Sequence, residues 1–257
     1  MYQDRPSNQN QPFNQKRPLT PKDVSISEAK LSKEERTLNR TEITTNALWV
    51  EVVGTILSAI GNTPISFLTQ EDFNNLNLIG DTLQLGGTTI QVEDEKYLTL
   101  NKIGNIIQAG GLIEEVAGYA FPQWLTNLRT TLQNQGNQVQ AVGLLLSFVF
   151  TKVEPTLSSF YETQGTIVSA AGLGMQILSA AFPSDNERGQ TLNTIGNWVQ
   201  VIGAILTAIG QEFTLEKQIH AVRKQLEDFQ SNRPDVVHYS AMNERYKDKT
   251  KSAISNE

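Results

Sequence analysis

Small, apolar and amide side chains recur in one register through residues 45–213, on a period of roughly thirty residues. Each unit is centred on a glycine, at Gly54, Gly87, Gly111, Gly143, Gly172 and Gly203, with successive intervals of 33, 24, 32, 29 and 31. Ile195-Gly196-Asn197-Trp198-Val199-Gln200-Val201-Ile202-Gly203 superimposes on Ile103-Gly104-Asn105-Ile106-Ile107-Gln108-Ala109-Gly110-Gly111, and Ile79-Gly80-Asp81-Thr82-Leu83-Gln84-Leu85-Gly86-Gly87 on both. Gly136 to Gly143, with Gln140, is a fourth copy; Glu51 before Gly54 and Ser169 before Gly172 replace the glutamine in two looser ones. Six copies in a shared register imply duplication.

Seven residues are close to two turns of an α-helix, so Gly196, Gly203 and Gly210 share a stripe with Gln200 and Thr207. A second stripe, Ile195, Val199, Ile202, Leu206 and Ile209, has the spacing of a core-facing helix surface. Glycine inside a helix costs about 0.5–1 kcal/mol against alanine. Close approach of neighbouring backbones is the offset this predicts. Gln84, Gln108, Gln140 and Gln200 would then hydrogen-bond between helices, because a buried amide needs partners. Pro64, Pro122, Pro155 and Pro183 follow four of the central glycines by ten to twelve positions, where they would end a helix or open the next turn. Thr88-Thr89-Ile90-Gln91-Val92 is β-branched and also compatible with a strand; only the register argues for helix.

The fold expected is all-α: a bundle or array of six glycine-patterned helical repeats, with a charged C-terminal helix and disordered termini. Residues 1–44 form a disordered or charged N-terminal segment, 45–213 the repeat domain, 214–232 an amphipathic helix (Leu215, Ile219, Val222, Leu226, Phe229) and 233–257 a polar tail.

Charge changes the picture of partners. A net charge of −6 argues against nucleic acid. The absence of cysteine removes disulfide and thiolate chemistry. Met1 to Arg5 has no signal-peptide character, so a cytoplasmic or membrane-peripheral location is expected. Uncharged runs between Arg129 and Lys152, Glu162 and Asp185, and Arg188 and Glu212 are each about the 20 residues that cross a bilayer. Their Gln, Asn, Ser and Thr content, the charges at Glu51, Asp81, Glu114 and Glu115, and a mean hydropathy of −0.31 favour a water-soluble or surface-associated bundle over an integral membrane protein.

Candidate chemistry is sparse. His220 and His238 stand outside the repeats, without the spacing of a metal site. Glu114 and Glu115 diverge by about 100° on a helix and read as a solvated or capping face rather than a catalytic pair. Gly172-Leu173-Gly174 lacks the remainder of a nucleotide-binding loop, and Asn39-Arg40-Thr41 is an acceptor pattern without a secretory context. Trp49, Trp124 and Trp198 are expected in the core. No catalytic, cofactor or metal residue is assigned.

At the level of Ile-Gly-Asn-x-x-Gln-x-x-Gly, residues 47–213 resemble glycine-patterned helical repeat proteins of unknown function from Bacillus and related spore-forming bacteria. The resemblance implies a bacterial, non-enzymatic protein and supplies no active residues. The function expected is structural or interaction-based, through self-association or a protein partner. A membrane-inserting or pore-forming helical protein is the alternative, and a carrier with a polar interior lined by the four glutamines is a third reading.

Overall fold

A computed structural model describes residues 21–232, apart from 96, 151–154, 184 and 185, with side-chain surroundings from residue 29 to 228, apart from those and residues 123 and 150. His238, the polar tail and residues 1–20 lie outside this range. Among the described residues the fold is all-helical, with six α-helices and no strand. They are α1 (Pro21–Gly61), α2 (Gln70–Asp94), α3 (Leu100–Ala120), α4 (Thr126–Phe150), α5 (Leu157–Ser179) and α6 (Glu187–Asn232), with a 3-10 turn at Gln123–Leu125. Residues 88–92, which could have been a strand, belong to α2. Residues 214–232 are not a separate helix: they continue α6 without a break.

Local chemistry sets the helix ends. Thr69 caps α2 in a reciprocal box: its hydroxyl accepts from the Asp72 N–H, and its own N–H donates to the Asp72 carboxylate. The Thr69 side chain, and then its backbone N–H, hold the Asp72 carboxyl below its ordinary range. Thr99 and Thr156 cap α3 and α5 in the same way through one bond each. Pro64, Pro122, Pro155 and Pro183 all fall between helices.

The described residues divide into two compact units, residues 36–219 and residues 21–35 with 220–232. In the smaller unit Leu31, Val222 and Leu226 are buried. In the larger, the six helices make three antiparallel hairpins, and glycine sits where the two helices of each hairpin cross. A Cβ on Gly54 would lie 2.5 Å from the Gly80 carbonyl oxygen in α2. One on Gly111 would lie 2.5 Å from the Gly136 carbonyl oxygen in α4, and one on Gly172 2.5 Å from the Gly196 carbonyl oxygen in α6. Gly143 meets Gly104, Gly203 meets Gly165, and Gly87 meets Ala47 as closely. No described glycine has a positive φ, so these positions need the missing side chain and not an unusual backbone.

The hairpins close into a ring. α2 packs on α3 and α4 on α5. α6 returns to α1, where Asn193 and Thr194 donate to the Asn62 side chain and carbonyl at 3.1 and 2.7 Å, and Leu48, Val52 and Ala208 form a buried apolar seam.

The interior of this ring differs from expectation. Among the described residues, more buried side chains are polar than apolar. The Ile195–Ile209 stripe is not a buried core face: Ile195 and Ile202 are exposed, Ile202 by 55%, while Val199, Leu206 and Ile209 are half-buried. Ile106 and Ile113 on α3, Val142 and Leu145 on α4, and Ile167 and Leu178 on α5 are exposed too. The glycine and glutamine stripe faces inward instead. Trp49, Trp124 and Trp198 are likewise exposed rather than core residues. The physical reason lies in the packing surface: two helices approach closest over the side without side chains, which turns the bulky stripe outward.

Candidate functional site

The inward stripes line two cavities that share Gln84 and Gln200 as walls, and a third space of about 550 Å³, with Arg129 in its lining, adjoins the smaller of them through Tyr119, Thr130 and Gln133. Of the two, one holds about 700 Å³, the other about 330 Å³, and each is lined by all six helices. Both have room and polar partners for several waters. Leu48, Leu144 and Phe148 are among the few large apolar side chains on the larger one. Its polar lining includes Glu51, Thr55, Gln108, Ser147, Thr166 and Thr207. The smaller cavity is walled by Ser58, Asp81, Glu115, Asn137, Gln140 and Gln176 among others.

All four glutamines of the sequence pattern therefore reach the interior. Gln84 and Gln200 stand between the cavities, Gln108 faces the larger and Gln140 the smaller. The six central glycines have a different job: they bring the helices together around that interior.

Three inward-facing acids, Glu51, Asp81 and Glu115, are held by neighbouring donors. At Glu51, Gln91 donates at 2.7 Å and Thr88 at 3.5 Å. At Asp81, Ser58 donates at 2.6 Å and Gln84 at 3.3 Å. Gln140 donates to Glu115 at 2.7 Å across α3 and α4, and Gln176 to Gln200 at 2.9 Å across α5 and α6. Hydrogen bonding of this kind is what makes a carboxylate tolerable away from bulk water. Glu115 is thus buried, not part of the solvated face that adjacent Glu114 and Glu115 suggested, and Glu114 is half-buried.

Among the buried side-chain oxygens without a hydrogen-bond partner, which include Glu114 Oε2 and Ser159 Oγ, one lies on a residue of the smaller cavity wall. Gln140 is only 2% exposed, and its Oε1 accepts no hydrogen bond. The cavity walls hold carboxylates at Glu51, Asp94, Glu95 and Glu162 in the larger space and Asp81 and Glu115 in the smaller, with no lysine, arginine or histidine in either lining. Among the described residues no group of three His, Cys, Asp or Glu side chains has the arrangement to hold a metal ion. His220 is an exposed residue of α6.

The charge and amide content lie inside, and the outside is the reverse. Through residues 49–60, 76–90, 103–119, 131–149, 160–178 and 191–209 no exposed side chain is charged. Thr131, Gln135 and Gln138, early in α4, are the main polar interruption. Exposed aromatics gather toward the two ends of the helices: Trp49, Tyr97 and Phe160 at one, Phe67, Phe121, Trp124, Phe182 and Trp198 at the other. α3, at 21 residues, is about 31 Å long, and α2, α4 and α5 are longer. Two stretches, Ala29–Gly61 and Glu187–Asp228, are long and apolar enough to cross a membrane by length and composition.

Fold and interior define a class: an all-helical ring of three glycine-crossed hairpins around a polar, acid-lined lumen. The chain belongs to a family of unknown function, DUF6944, whose pattern matches residues 42–208. That span contains α2 to α5 whole, with the second half of α1 and the first half of α6, and stops before the charged end of α6. No curated protein and no solved structure matches the chain.

Proposed function

We propose that the chain is an integral membrane protein whose six helices cross the bilayer and enclose a water-filled passage, and that it catalyses no reaction. The observation that carries this reading is the sidedness of the ring. Bulky apolar side chains point out along nearly every helix, while carboxylates and amides point in. In water such an exterior would be a large apolar surface without cover. In lipid it is matched, and buried polar groups on helices are expected to face one another or a water-filled cavity. Helix lengths near the roughly 30 Å of a hydrocarbon core, small residues at the crossings and aromatics at both ends support the same reading. The recurrence of the glycine-centred unit fits a protein built by duplication. Hydropathy understates this arrangement in four of the helices, because the inward face of each lowers an average taken around the whole circumference.

Fractionation tests it. The full chain expressed in bacterial cells is expected to stay in the membrane pellet after an alkaline carbonate wash and to leave it only with detergent. Release into the carbonate supernatant would show that water, or a second protein, covers the apolar belt. It would return the chain to the structural or interaction protein that its polar composition favoured.

A further inference from the structure

Resting on the membrane reading above, we infer that the lumen is a pathway for small hydrated monovalent cations, with a selecting level formed by Asp81, Glu115 and Gln140. Three independent features converge there. The two carboxylates face the same cavity from α2 and α3, and no cationic side chain lines either cavity to neutralise them. Each is already held in place by a neighbour, Asp81 by Ser58 and Glu115 by Gln140, and each still has lone pairs to offer, since a carboxylate accepts at about four sites. Gln140 spends its amide N–H on Glu115, which leaves its Oε1 buried in the cavity wall without a donor. An unsatisfied acceptor next to Glu115, in a cavity that Asp81 also faces, can hold a cation or the water of its hydration shell.

The same geometry narrows the ligand. A divalent metal cage needs several carboxylates converging on one point, and the described residues contain no such cluster. The acids are instead spread along the lumen, from Glu51 in the larger cavity to Asp81 and Glu115 in the smaller, with the Gln84 and Gln200 amides between. Weak, repeated oxygen sites of this kind hold an ion loosely enough to pass it on. Arg40 pairs with Asp94 at 3.8 Å and Arg129 lines the space that adjoins the smaller cavity, but neither stands in the lining that Asp81 and Glu115 share, so an anion at that level meets carboxylates alone and is repelled.

The test reconstitutes the purified full chain in phosphatidylcholine vesicles with potassium chloride as the probe, and measures the ratio of K⁺ to Cl⁻ permeability from the reversal potential across a salt gradient. The wild type is expected to favour K⁺ by about tenfold or more, the scale on which a charged, low-dielectric cleft enriches counter-ions. The Asp81→Asn, Glu115→Gln double variant is expected to lose most of that preference. Glu212→Gln, at an exposed position outside both cavities, is expected to keep it. A double variant that folds poorly leaves the wild-type ratio to decide. Protein that remains in carbonate-washed vesicles but passes no K⁺, or passes Cl⁻ as readily, overturns this inference and leaves the membrane reading standing. Protein that washes off the vesicles overturns both.

Discussion

One methyl group separates two adjacent glycines of α3. On Gly111 it would meet the Gly136 carbonyl oxygen at 2.5 Å and Gln140 at 2.7 Å; on Gly110 it would meet nothing within 4 Å. Gly111→Ala is therefore expected to lower stability by about 1–3 kcal/mol through overpacking. Gly110→Ala should raise it by about 0.5–1 kcal/mol, since only the entropy of a helical glycine is at stake. Gly111→Leu and Gly203→Leu should be worse than the alanine. Thermal unfolding followed by circular dichroism in detergent checks all four; equal melting temperatures for Gly110→Ala and Gly111→Ala would remove the close-packed crossing. At this scale the sequence was informative about which residues matter and less so about why. The seven-residue glycine step and the glutamine before it could be read directly, and those glutamines do line the interior. The Gln140–Glu115 and Ser58–Asp81 bonds could not, because they join residues 25 and 23 positions apart on different helices. Ser58→Ala removes the shorter of two bonds to a buried carboxylate, and a loss of about 1–3 kcal/mol is expected in the same melts.

Helices and their ends were legible because their causes are local. Proline after glycine, threonine caps and the 3.6-residue period all act within one or two turns. Which face turns inward is a different question, since periodicity yields two opposed stripes and says nothing of the solvent outside. Reading the Ile195–Ile209 stripe as a core presupposed water around the bundle, and so did placing the tryptophans inside. That presupposition can be tested on one helix. Ile202 is more than half exposed and sits midway along the ring-forming part of α6, beside the Gly203 crossing. In a bilayer Ile202→Lys places a charge in lipid near the midplane, at a cost of about 2.5–3.5 kcal/mol on insertion scales. In water the same change at an exposed site is worth within about 0.5 kcal/mol. The expected outcome is a clear fall in the carbonate-resistant fraction for Ile202→Lys and for Val142→Lys on α4. A folded variant recovered at wild-type level in the pellet would argue that the belt does not meet lipid.

For the molecule as a whole, the decisive quantity is where water is. On the proposed membrane reading, a ring with acids and amides inside and isoleucine, valine and leucine outside has its low-dielectric medium on the outer surface, and its helix pairs are then held by close packing and internal hydrogen bonds rather than by an apolar core. The glycine crossings and the Gln140–Glu115 and Gln176–Gln200 bonds are forces of that kind. Because the sequence contains no cysteine, the position of water can be mapped without background. Single cysteines at Thr166 and Asn137 would stand on the walls of the larger and smaller cavities, and single cysteines at Ile113 and Ile202 on the outer belt. A thiol reacts as its thiolate, which forms readily only where water solvates it, so a membrane-impermeant charged thiol reagent should label the two lumen positions and leave the belt positions slow. Detergent-free vesicles and a gel-shift readout suffice. A water-surrounded bundle predicts the opposite order, with Ile113 and Ile202 positions labelled first and the lumen protected by its walls. The ranking of four rates thus reports directly which side of the helices faces the aqueous phase.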